Sequence, residues 1–218
     1  MNQKTIFVVA LTVLLIAFSG GAYYYSAQQE KQASQLAEAN SAALVRMHSP
    51  TQGKAEAPVV IVEFIDPACE TCAAFYPRVK EILAANPGRI RLVVRYAPFH
   101  SGSDKVVALL EAARLQGKFW PALETLLKSQ SAWVANHTAQ ADLAWKQLGN
   151  IGLDQERMAL DLSSPEIAKV IEQDLADAAT LKVTMTPEYF VNGKPLPSFG
   201  FEQLQTLIND ALAATRGK

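Results

Sequence analysis

Residues 58–72 read PVVIVEFIDPACETC. The first eight positions form a short, β-branched apolar run with one interruption, Glu63, and this composition and length mark a buried strand. Asp66-Pro67-Ala68 is a turn. From Cys69 to about Asn86, apolar residues recur at helical spacing through Phe75, Val79, Ile82 and Leu83, and Asn86-Pro87-Gly88 ends the pattern. Pro77 falls inside this helix and is expected to kink it. Arg89–Tyr96 (RIRLVVRY) is a second strand. The order strand, helix, strand is a βαβ unit whose two cysteines, Cys69 and Cys72, sit where the first strand hands over to the helix.

The middle of the chain is helical. Residues 104–116, 118–129, 139–148 and 165–181 carry apolar side chains at i, i+3 and i+4, punctuated by Gly117, Gly149, Gly152 and Ser163-Ser164-Pro165. Ser164 followed by Pro165 reads as an N-cap with proline in the first helical position. Trp120, Trp133 and Trp145 are expected in the core of this block. Strands return at residues 188–191 and 194–196, joined by Asn192-Gly193, a type I′ hairpin signal. Residues 201–214 close as an amphipathic helix.

The chain has 218 residues, half of them apolar, which is enough for a packed domain. Twenty basic against 21 acidic residues leave a net charge of −1 and argue against a nucleic-acid partner. Two cysteines exclude a disulfide-stapled scaffold and a four-cysteine metal site. Three scattered histidines, His48, His100 and His137, leave little for a metal site, and none is expected. His100 reads as a loop residue that nothing fixes near the thiols. Asn136-His137-Thr138 fits a glycosylation sequon by chance.

Between Lys4 and Glu30 lie 25 uncharged residues. The dense apolar part, residues 6–18, has the size of a signal-peptide core, and its extension to Tyr25 reaches 20 residues, roughly 30 Å of helix. Residues 1–27 are thus read as an uncleaved signal anchor, with a cleaved signal peptide as the alternative. Residues 28–50 read as a helical stalk or linker, and 51–218 as the folded domain, with a helical insertion at about 100–182. Either N-terminal reading exports the domain into an oxidising space, where a CxxC pair is redox-active rather than metal-binding. Cys69, at the helix start, meets free N–H groups and the positive end of the dipole, so it should be exposed and thiolate-prone. Cys72, one turn in, should be the buried, resolving thiol.

These residues together, DPACETC after VVIVEF, the helical block and VTMTPEYFVNGKPL near the end, resemble the DsbA family of exported thiol–disulfide oxidoreductases in the thioredoxin superfamily. The resemblance covers about residues 51–214. It implies an α/β thioredoxin-like fold with a helical insertion between βαβ and ββα halves. It also implies that Cys69 attacks and Cys72 resolves, and that Thr186-Pro187 is a cis-proline loop against the disulfide that offers backbone to substrate peptides. Glu63 matches the buried acid below the active site, either a proton relay or an acid satisfied by a buried partner. No cofactor beyond the Cys69–Cys72 pair is implied. The partners implied are exported proteins with thiols and a membrane recycling enzyme, a DsbB-like oxidase or a reductase. The setting is periplasmic, on the bacterial inner membrane through the N-terminal helix or free if that helix is cleaved. The middle dipeptide Glu70-Thr71 departs from the Pro-His of strongly oxidising members; a carboxylate there opposes a thiolate and should make the pair less oxidising, or else merely favours the helix dipole. The alternatives within the class are a reductase or isomerase. Outside it stands a copper-handling protein using the reduced CxxC.

Overall fold

The structure, a computed structural model, describes residues 2–215, without the side chains of residues 4–10, 29–30, 33–34, 36–37 and 39. Two compact units divide it, Met1–Ala39 and Asn40–Lys218. Helix α1 (Gln3–Leu44) begins in the first and ends in the second. Of the expected membrane anchor, residues 1–27, residue 1 and the side chains of residues 4–10 lie outside the described residues. Among those described, no helix is long and apolar enough to cross a membrane.

The second unit is built on a five-stranded sheet. Its strands are β1 (Thr51–Gln52), β2 (Val59–Ile65), β3 (Ile90–Tyr96), β6 (Glu188–Val191) and β7 (Lys194–Pro195), in the order β1-β3-β2-β6-β7. β2 and β3 are parallel, with Ile61 opposite Leu92, and the other neighbours are antiparallel. Helix α2 (Glu70–Ala85) makes the crossover between β2 and β3 and continues through Pro77. Helices α3 (Ser103–Leu115), α4 (Phe119–Lys128), α5 (Ala141–Gln147), α6 (Gln155–Asp161) and α7 (Pro165–Thr180) form the insertion, and α8 (Phe201–Ala214) closes the chain. This is the expected thioredoxin-like α/β fold. The 192–193 turn has both residues at positive φ, 47° and 80°, as a type I′ hairpin requires. Ser164 caps α7 through the Glu166 N–H. Trp133 is fully buried, whereas Trp120 and Trp145 are half-buried at the edge of the core.

Strand alternation divides the core. Ile61, Ile65, Leu92, Val94 and Tyr189 point to the face covered by Val79 of α2 and by the insertion and α8. Val62, Phe64, Val93 and Phe190 point to the other, where they meet Ala178, Leu181 and Val183, and also Ala43 and Leu44. Of the expected stalk, residues 28–50, the last eleven, residues 40–50, fall within the second unit, where Ala43 and Leu44 bury their side chains on the sheet.

Charge fixes the same segment. Arg95, wholly buried in β3, bridges Asp174 (2.7 Å) and Asp177 (2.6 Å) of α7 and donates to the Ala43 carbonyl. Arg46 holds Asp177 with two hydrogen bonds of 2.6 and 2.8 Å, and His48 Nε2 meets Asp174 at 2.7 Å. A buried cluster of this kind is costly to break, because removing one partner strands the opposite charge.

The insertion is not wholly helical. β4 (Val134–Ala135) and β5 (Thr138–Ala139) form a second, two-stranded sheet whose turn, Asn136-His137, has both residues at positive φ. The Ala139 N–H donates to Ser101 O at 2.8 Å, seating this hairpin against the loop after β3. Gly102 permits the approach: a Cβ there would lie 2.6 Å from the Ala139 carbonyl, and its φ is +76°.

Candidate active site

The register of β2 decides where Glu63 goes. It shares parity with Ile61 and Ile65, so its carboxyl enters the core on the α2 face. It is completely buried; Tyr189 Oη, one strand over, donates to Oε1 at 2.9 Å, and Oε2 has no hydrogen-bond partner among the described residues. Burial pushes this carboxyl up to about 7, the Tyr189 bond pulls it back, and negative charge at Cys69 raises it further.

The chain then leaves β2 through Asp66, whose buried carboxylate organises the turn. Oδ1 accepts from the Ala68 N–H (2.8 Å) and from the Ser103 hydroxyl, and Oδ2 accepts from the His100 N–H (2.8 Å) and meets His100 Nδ1 (2.8 Å). Gln130 Nε2 donates to the carbonyls of Pro67 (2.8 Å) and Cys69 (3.0 Å). The sequence reading missed Asp66 and Gln130 as organisers of the site, and His100 is fixed beside the CxxC turn rather than left loose in a loop. The distant partners come from two segments far along the chain, residues 100–103 and Gln130, so only an acid shortly ahead of the cysteines hinted at this.

Cys69 is the N-cap of α2, with extended backbone, and Glu70 is the first helical residue. Cys69 is 6% exposed, less than the open position expected, and the Thr186-Pro187 loop lies over it: Cys69 Sγ donates to the Thr186 carbonyl at 3.2 Å. The Thr186–Pro187 bond is cis, as expected. The hydrogen bond between the two thiols is the largest cause that pulls Cys69 down to about 5; burial opposes it, and Thr186 and the N–H groups of Cys72 and Thr71 add to it. Cys72 is fully buried, and burial, its bond to Cys69 and the charges of Cys69 and Glu63 push its thiol well up. One sulfur is thus a ready thiolate and good leaving group, and its neighbour holds its proton.

None of the principal causes acting on Cys69 involves Glu70. The Glu70 carboxylate is exposed, with Oε1 3.7 Å from His137 Nδ1, and His137 in turn stacks on His100 with ring centroids 6.1 Å apart. Two of the three histidines therefore converge beside the site, contrary to the scattered arrangement expected from their spacing.

Comparison with known proteins agrees with this geometry. A thioredoxin family model matches residues 45–210, so the chain belongs to the thioredoxin family. Its fold is that of DsbA- and BdbD-type thiol–disulfide oxidoreductases. A thioredoxin-like oxidoreductase from Silicibacter pomeroyi superposes with a TM-score of 0.67 at 30% identity, covering 76% of this chain and 93% of that one. BdbD from Bacillus subtilis does so with 0.67 at 21% identity, covering 76% and 94%. A probable disulfide bond formation protein D from Bacillus anthracis is 31% identical over 73% of this chain and 76% of that protein. A Na(+)/H(+) antiporter NhaA from Herminiimonas arsenicoxydans is 32% identical over 66% of this chain. The chain spans only 22% of that antiporter's length.

Proposed function

We propose that this chain exchanges disulfides with exported proteins through Cys69 and Cys72. The observation that carries the reading is the placement of the two sulfurs: Cys69 at the N-cap of α2 against the cis Thr186–Pro187 loop and Cys72 fully buried one turn in, an arrangement that lowers the Cys69 thiol to about 5 and raises that of Cys72. With the pair oxidised, a substrate thiolate attacks Cys69 Sγ, the Cys69–Cys72 bond breaks, and Cys72 leaves as a thiolate that takes up a proton. Glu63, neutral below about pH 7 and within electrostatic range of both sulfurs, is the group assigned to lend that proton. A second substrate thiolate then attacks the substrate sulfur of the mixed disulfide and releases Cys69, a good leaving group because its thiol is acidic. Two electrons pass from the substrate dithiol to the pair. Thr186 and Pro187 offer backbone to the substrate strand beside Cys69, and Glu70 and Thr71 flank the reacting sulfur.

Turnover needs a membrane oxidase or reductase to reset the pair, in keeping with the DsbA-type fold. The uncharged run that includes residues 6–18 supports export and, if it is retained, attachment to the inner membrane with the domain in the periplasm. The test is equilibration with glutathione buffers. The pair is expected to titrate as one two-electron couple lying above the potential of thioredoxin, ~−270 mV. Failure to form the intramolecular disulfide at any buffer ratio would overturn the reading.

A further inference from the structure

Glu70, His100 and His137 present ligand atoms that all lie within 4.8 Å of one another. We propose that they form a binding site for a divalent transition metal of the zinc class at the rim of the redox pair. The three come from the first turn of α2, the loop after β3 and the tip of the β4–β5 hairpin, and the fold brings them together deliberately. His137 sits at positive φ (57°) in the hairpin turn, and the Ala139–Ser101 hydrogen bond and the tight approach at Gly102 hold that hairpin on the loop carrying His100.

The support behind His100 is what a metal-binding histidine has. Asp66 engages His100 Nδ1 at 2.8 Å, which fixes the ring and leaves Nε2 to offer its lone pair. Asp66 is itself wholly buried and held by the Ala68 N–H and the Ser103 hydroxyl, so this carboxylate–histidine pair is rigid. Glu70 and His137 are exposed, 64% and 76%, and so are free to close on an ion. Zinc–nitrogen bonds of about 2.1 Å set tetrahedral ligand atoms roughly 3.4 Å apart, a modest closure from the present spacing. Two imidazoles and one carboxylate suit zinc or copper(II) rather than calcium or magnesium, and leave a fourth position for water. A cation there would neutralise the Glu70 carboxylate next to Cys69 and stand in the approach to its sulfur, giving the exchange reaction a metal-sensitive gate.

The test uses the tag-free 218-residue chain in its disulfide form, so neither cysteine can bind metal. The binding result therefore does not depend on the exchange activity. Zinc is titrated by calorimetry and by the ring proton resonances of the three histidines. One ion per chain is expected, shifting His100 and His137 but not His48, undisplaced by excess magnesium. H137A and E70Q, both at exposed positions, are each expected to weaken binding at least ~10-fold while retaining the wild-type circular dichroism. No binding at millimolar zinc, equal shifts at all three histidines, or binding unchanged in H137A would overturn the proposal.

Discussion

Replacing Glu63 by glutamine is expected to stabilise the reduced protein above neutral pH. Glutamine is the uncharged isostere, and its amide oxygen can still accept from Tyr189 Oη, which now sits 2.9 Å from Oε1. In the unfolded chain Glu63 titrates at its ordinary value of 4.5, whereas in the folded chain burial holds it at about 7. A raised carboxyl contributes its full stability only below the unfolded value and loses it as pH rises toward the folded one. The wild-type chain thus loses about 1.4 kcal/mol per pH unit across that window, relative to the glutamine variant. The gap of 2.5 units, 7 less 4.5, gives a plateau of about 3 kcal/mol. Urea unfolding of both proteins under reducing conditions, from pH 4 to 8, reads it directly. The two curves should coincide near pH 4, diverge through pH 5 and 6, and run parallel above pH 7. The same variant should turn over more slowly with little change in substrate binding, and its rate should lose the inflection near neutrality. A constant stability difference across the whole range would refute the argument that the buried carboxyl stays protonated to about 7.

The Cys69 thiol should ionise with a midpoint near 5 when followed by thiolate absorbance at 240 nm or by alkylation rate, and Cys72 should remain unreactive through pH 8; equal reactivity of both would contradict the asymmetry. Arg95→Ala should cost about 3–5 kcal/mol in chemical denaturation, because it strands the buried carboxylates of Asp174 and Asp177. Arg46→Ala, at a site about one-third exposed, should cost about 1 kcal/mol or less; equal losses would show that burial does not set the energetics of this cluster.

The elements that sequence reading places well are those whose local pattern and tertiary role agree. β2 and β3 are short, mainly apolar runs rich in β-branched residues, Asn192-Gly193 can hardly be anything but a tight turn, and Ser164-Pro165 opens a helix. The CxxC at a strand-to-helix junction, with Thr-Pro ahead of a later strand, locates both sulfurs and the loop over them. What stays hidden is set by contacts far along the chain. Arg95 reads as an oddity in an apolar strand until Asp174, 79 residues later, arrives beneath it. The β4–β5 strands are two residues each, too short for any periodicity, so the pairing of His100 with His137 has no sequence signal. Helix α6 spans seven residues, and its one marker is the Asp154 cap on the Arg157 N–H. Asp66 passes for an ordinary Asp-Pro turn residue, yet its carboxylate makes four hydrogen bonds, to Ala68, His100 and Ser103, that shape the loop carrying Cys69.

The central claim is that the mixed disulfide with substrate forms through Cys69, and that Cys72 is its buried partner, able to resolve that species when a second substrate thiol does not. Its most direct test is to express Cys72→Ser and Cys69→Ser chains in an exporting cell, quench with acid and alkylating agent, and map mixed disulfides by mass spectrometry. The account predicts that Cys72→Ser accumulates disulfides to exported proteins, all through Cys69, and that Cys69→Ser accumulates none. Mixed disulfides through Cys72 in the Cys69→Ser chain, with none through Cys69 in Cys72→Ser, would contradict it.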